Sequence, residues 1–142
     1  MTDHVASCLC EQLRVTIRGE PDFCAVCHCS KCRKRSGSAF GVSAYYSREK
    51  VVSIAGNSSQ YRRQADSGRY ATRHFCPACG IEVYAKLEFF PQGIAVFPGT
   101  FAAPYFPQPT FSVWAEGKCD WVQLPQDLPV FAKGRTPAQP KA

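Results

Sequence analysis

Nine cysteines in a chain of 142 residues limit what it can become more than any other feature, and four of them fall within residues 24–32. The stretch CAVCHCSKCRKRSG, residues 24–37, therefore staples a loop, closes a metal site or leaves one open. An odd number of thiols cannot all pair as disulfides. The start, MTDHVASCLC, has no basic segment followed by an apolar one, so no export signal is expected in it. A reducing, cytoplasmic setting is the expectation, and there clustered thiols bind metal more often than they form bridges.

Spacing sorts the thiols into groups. Cys76 and Cys79 stand three apart with proline between and Gly80 after, the pattern of a zinc knuckle, and Cys8 and Cys10 stand two apart. Structural zinc takes four thiolates at about 2.3 Å, usually as two such pairs distant in sequence. Cys8, Cys10, Cys76 and Cys79 would thus close one four-sulfur site. Cys27, Cys29 and Cys32 combine spacings of two and three, which converge on a second metal if the chain bends. Three thiolates with one vacant position describe a catalytic zinc, and four describe a structural one. Spacing alone admits Cys24 as the fourth ligand, and His28 or His74 as others. Both histidines are expected to be strand residues facing elsewhere. Cys119 stands alone.

The rest of the chain reads as a mainly β domain with little helix. QLRVTIR (residues 12–18) alternates Leu13, Val15 and Ile17 with Arg14, Thr16 and Arg18, the period of a half-buried strand. FGVSAYY, VVSIAG, ATRHF, IEVYAKLEF, GIAVF and FSVWA are short, β-branched or aromatic, and bounded by turn residues. SKCRKRSGS suits one turn or a short helix ended by Gly37, and APYFPQPTF an irregular loop. A chain of this length is expected to form one domain, here residues 1–131. Residues 132–142 carry no apolar anchor and are expected to be a disordered tail. No run approaches the roughly 20 apolar residues of a membrane span. The net charge of +6 is uneven: Lys31, Arg33, Lys34 and Arg35 adjoin the cysteine cluster, and Arg62, Arg63, Arg69 and Arg73 follow later.

Taken together, SCLC, CHCSKCRKRSGSAF, RHFCPACG, PGTF and a late W…LPVF make the chain resemble the glutathione-dependent formaldehyde-activating enzymes and their centromere protein V relatives. The resemblance runs from Cys8 to Phe131. It implies a β-tent fold with two zinc ions per chain, Cys8, Cys10, Cys76 and Cys79 holding the structural one and Cys27, Cys29 and Cys32 the catalytic one. It also implies a carbon–sulfur lyase that joins formaldehyde to glutathione. Cys24 lies outside the shared motif, which favours a small buried apolar role for it.

The chemistry independently suits a thiol substrate. A site of three thiolates is electron-rich yet accepts a further soft ligand, and a free thiol near pKa 8.5 is only slightly ionised at neutral pH. Lys31, Arg33, Lys34 and Arg35 are expected to offset the excess negative charge and to recognise carboxylates of a glutathione-like partner. Ser36, Ser38 or Tyr45 are candidates to donate to the alkoxide that develops on a small aldehyde. Two rival readings share these features: a zinc lyase or hydrolase acting on a different adduct, and a non-catalytic zinc module binding nucleic acid or protein. A nucleic-acid partner is the weaker expectation, because the aromatics available for stacking occupy strand positions that a core also wants.

Overall fold

A computed structural model describes residues 1–135; the expected tail lies, from residue 136 on, outside the described residues. The described chain is mainly β. Its strands in order are β1 (Asp3–Ser7), β2 (Arg14–Arg18), β3 (Phe23–Cys27), β4 (Gly41–Ser47), β5 (Val51–Ala55), β6 (Ser59–Gln64), β7 (Tyr70–Phe75), β8 (Glu82–Leu87), β9 (Gly93–Val96) and β10 (Phe111–Val113). One α-helix, α1 (Ser30–Ser36), follows β3. The chain divides into two compact units, Met1–Asp22 with Ala44–Pro107, and Phe23–Ser43 with the chain from Gln108 on.

In the first unit, β1, β2 and β5 form a three-stranded antiparallel sheet with β2 in the middle. The alternation in β2 explains its place. Leu13, Val15 and Ile17 are fully buried while Arg14 and Arg18 face solvent, and burying each aliphatic side chain contributes about 2 kcal/mol. A separate antiparallel ladder runs from the end of β4 through β9, β8 and β7 to β6. Its core is aromatic and small at once: Tyr46, Tyr84, Phe90 and Phe97 are buried with Ala44, Ala85 and Ala95. Such mixing of large and small side chains on facing strands lets the rows interlock.

The second unit is built on β3 and β10, which run parallel with Ala25 opposite Phe111 and Cys27 opposite Val113. Thr110 fastens the start of this pair, its hydroxyl accepting from the Cys24 N–H (2.9 Å) and its own N–H donating to the Cys24 carbonyl (2.7 Å). Beyond β10 the chain folds back on itself. The N–H groups of Trp114, Ala115 and Glu116 donate to the carbonyls of Lys133, Phe131 and Ala132. The expected strand FSVWA ends at Val113, because Trp114 takes a left-handed backbone (φ 56°) and diverts the chain.

Candidate metal centres

Both cysteine pairs of the first group sit at hairpin tips in the first unit. The tip joining β1 to β2 is closed by Cys8 N–H donating to Leu13 O (3.0 Å), and the tip joining β7 to β8 by Cys76 N–H donating to Ile81 O (2.9 Å). Each tip contains a residue with positive φ, Glu11 (68°) in one and Gly80 (80°) in the other. The two turns are thus the same device used twice. They bring the sulfurs of Cys8, Cys10, Cys76 and Cys79 within 4.8 Å of one another. Cys8–Cys10 and Cys10–Cys76 are each 3.7 Å apart. A tetrahedron with metal–sulfur bonds of about 2.3 Å has edges of about 3.8 Å, so these residues fit a four-thiolate metal.

Polar hydrogens surround this group. Leu13 N–H points at Cys8 Sγ (3.3 Å), and the N–H groups of Ala78 (3.3 Å) and Cys79 (3.4 Å) point at Cys76 Sγ. The Gln12 amide adds a side-chain donor to Cys76 Sγ at 3.0 Å. Burial opposes ionisation of Cys76, but the Gln12 amide and the Cys79 and Ala78 N–H groups bring its thiol down to about 6. Gln12 is itself locked: its amide donates to Asn57 O (2.7 Å) and its carbonyl oxygen accepts from Asn57 N–H (2.9 Å). Gly56 makes that approach possible, since it has φ +96° and a Cβ there would strike the Gln12 carbonyl.

The second group lies where β3 hands over to α1. Cys27 ends β3, Cys29 is the N-cap of α1, and Cys32 lies in the first turn. Their sulfurs also lie within 4.8 Å of one another. Cys29 Sγ accepts from Cys32 N–H (3.4 Å), so a sulfur takes the place that an oxygen usually fills at a helix start. Cys27 hydrogen-bonds to Cys32, and that contact, with the Arg35 guanidinium close by, brings Cys32 down to about 6 against the pull of burial. The same contact with Cys32, then burial, pushes Cys27 up. Three soft donors at this separation fit a metal with one position left for another ligand.

The neighbouring candidates divide. Cys24 stays out of the group; it is fully buried and burial pushes its thiol up to about 12. His28 is also buried, with Nε2 3.0 Å from Ser112 Oγ. His74 is buried in the other unit, stacked 4.3 Å from Tyr84 and hydrogen-bonded to Ser58. Lys31, Arg33 and Lys34 are exposed along α1, while Arg35 is half-buried against Cys32. Ser36 directs its hydroxyl at the carbonyls of Cys32 (2.9 Å) and Phe40 (3.0 Å), and Ser38 is exposed in the following turn. Tyr45 belongs to the first unit, where its ring is buried 5.6 Å from Phe89 and 5.5 Å from Phe90. Of the later arginines, Arg62 lies over the Tyr70 ring (3.6 Å) and Arg73 pairs with Glu82 (3.2 Å).

Sequence reasoning missed Gln12 and Gly56. Neither carries a local signal, because their roles depend on a meeting between residues 12 and 57 that no spacing rule encodes.

Comparison with known proteins places these centres in a family context. The profile of the family described as "Glutathione-dependent formaldehyde-activating enzyme" matches residues 3–117. A Penicillium rubens protein named "Putative glutathione-dependent formaldehyde-activating enzyme" is 30% identical over 81 residues, covering 57% of this chain and 41% of that protein. The chain therefore spans about two fifths of the length of that curated relative. A crystal structure of a Rhodobacter sphaeroides protein superposes with a TM-score of 0.55 at 20% identity, over 72% of this chain and 91% of the other. That likeness shows the fold. Among the described residues no helix is long and apolar enough to cross a membrane.

Proposed function

The chain belongs to the glutathione-dependent formaldehyde-activating enzyme family, and from that premise we propose that it is a two-zinc carbon–sulfur lyase of the cytoplasm. It joins a glutathione-like thiol to formaldehyde or another small aldehyde. In that reaction the sulfur–carbon bond forms, the thiol proton leaves sulfur, and the carbonyl oxygen takes up a proton to become a hydroxyl. Cys8, Cys10, Cys76 and Cys79 hold the structural zinc, and Cys27, Cys29 and Cys32 hold the catalytic one.

One observation carries the reading: two sulfur groups of unlike size, four in one and three in the other, with Cys24 buried away from the second. A metal held by three thiolates supplies a soft Lewis-acid position that favours the ionised form of an incoming thiol. The chain's own residues do the rest. α1 fixes Cys29 and Cys32 on one turn, so the donors are set before substrate arrives. Lys31, Arg33 and Lys34 offer exposed cations on the same helix for the carboxylates of the thiol partner. Ser36 points at backbone carbonyls and Tyr45 packs among phenylalanines, so neither is assigned the proton delivered to oxygen.

The test is exchange spectroscopy. Glutathione and formaldehyde are mixed at equilibrium, and interconversion of free thiol and adduct is followed by NMR with and without protein. Wild type and Cys24→Ala should speed exchange at least about a hundredfold, the low end of what a positioned catalytic group supplies, and Cys32→Ser should not. No acceleration by the two-metal protein would overturn the reading. Turnover of an aldehyde adduct without any thiol would replace it with a hydrolase.

A further inference from the structure

Burial separates Arg35 from the other three cations of its run. Residues three and four apart share a helix face, so Cys32, Arg35 and Ser36 look the same way. Lys31, Arg33 and Lys34 are exposed, whereas Arg35 is half-buried. Two features shape the space beside Cys32 that its guanidinium occupies. Ser36 Oγ is 2.9 Å from Cys32 O and 3.0 Å from Phe40 O, which returns the chain to the helix just before Gly41. Gly37, left-handed at φ 65°, makes the turn between them. Gly41 then lies so close that a Cβ there would strike Arg35 Nη2 and stand 3.2 Å from Cys32 Cβ. Gly41 is buried and its backbone is not left-handed, so a side chain there would violate space and not conformation.

We propose that Arg35, seated by Gly41 and the Ser36 clamp, is a positioning residue that helps the second centre retain its metal. It leaves substrate recognition to Lys31, Arg33 and Lys34. The proposal rests on the reading of Cys27, Cys29 and Cys32 as a metal centre. Its physical basis is charge. Three thiolates and a divalent cation sum to −1, and a guanidinium fixed in a partly dry site offsets that excess where a mobile surface lysine cannot. Partners of this kind, one step out from the metal, typically change affinity 10- to 100-fold. Gly41 is the second half of the device, because any side chain there displaces the guanidinium without altering its chemistry.

Competition between the zinc-loaded protein and a chelator, resolved into its two release steps, tests this. Arg35→Gln should weaken the second centre about tenfold or more and leave the first unchanged. Gly41→Ala, which also crowds Cys32 Cβ, should weaken the same step, and in the double variant the two losses should fall short of their sum, since the guanidinium to be displaced is already gone. An unchanged second step in Arg35→Gln, an equal loss at both centres, or additive effects in the double variant would each overturn the proposal. Should Gly41→Ala unfold, the Arg35→Gln arm decides by itself. Wild-type protein holding one metal would overturn both this proposal and the catalytic reading. Two metals with the Arg35 effect intact, but no thiol–aldehyde exchange, would sink the catalytic reading alone and leave this one standing.

Discussion

The two sulfur groups reach similar separations by different means. The first is assembled from two hairpin tips nearly seventy residues apart, whereas the second comes from one strand end and the first turn of one helix. In the first, the sulfurs come from two hairpins, and Cys10–Cys76 and Gln12–Cys76 contacts join them, so loss of a ligand unties distant chain. In the second, the contacts are local, and the strand pair β3–β10 has its own ladder, fastened by Thr110. A metal site that joins distant segments is coupled to folding, and a site set on one strand end and one helical turn ties together less of the chain. The contrast shows where a small β protein can place chemistry without endangering its fold.

The largest effect that could break this comparison is ligand loss. Cys76→Ser should destabilise the protein by about 4 kcal/mol or more, in the range where loss of a structural metal is diagnostic. Cys32→Ser should cost less than about 1 kcal/mol, while metal content falls from two ions to one. Thermal unfolding with elemental analysis checks both. Equal damage from the two substitutions would make both centres structural.

A smaller effect sharpens the account of the first centre. Gln12→Ala removes the amide that reaches Cys76 Sγ at 3.0 Å and its paired contacts to Asn57. It should weaken the first metal about tenfold by chelator competition and leave the second untouched. The reverse order of effects would mean that the donors around Cys76 do not govern it.

The smallest effect is a shift with pH. Cys32 and Cys76 both lie near 6 in the folded chain, below the ordinary thiol value. The ionised form that binds metal is therefore present above that value and is lost as pH falls through it. Arg35→Gln removes a cation beside Cys32, so its thiol rises, protons compete better, and second-centre metal should leave at higher pH. Gln12→Ala should do the same at the first centre only. A zinc indicator read during stepwise acidification distinguishes the two.

Much of this was legible along the chain. The alternation of Leu13, Val15 and Ile17 is the buried face of β2 and the residue before it, and Gly37 does end α1. The hidden parts have separate causes. β6, SQYRRQ, has no apolar face, because an exposed strand at the end of its ladder buries little. β3, FCAVC, is buried on both faces and so shows no alternation. Gln12 with Asn57 and Arg35 with Gly41 are meetings across space, and only the folded chain brings them together.

The matched hairpin tips also bear on how such a chain can change in length. Cys8 to Leu13 and Cys76 to Ile81 are closed by hydrogen bonds at the same separation along the chain. Adding one residue inside either would turn a sulfur to the opposite side of its hairpin. The tip between β6 and β7 is closed by Ala65 N–H donating to Arg69 O (2.8 Å) and carries no sulfur. Insertions and deletions in descendants of this sequence would therefore collect around residues 66–69, where an altered count displaces exposed side chains, and stay out of the other two tips.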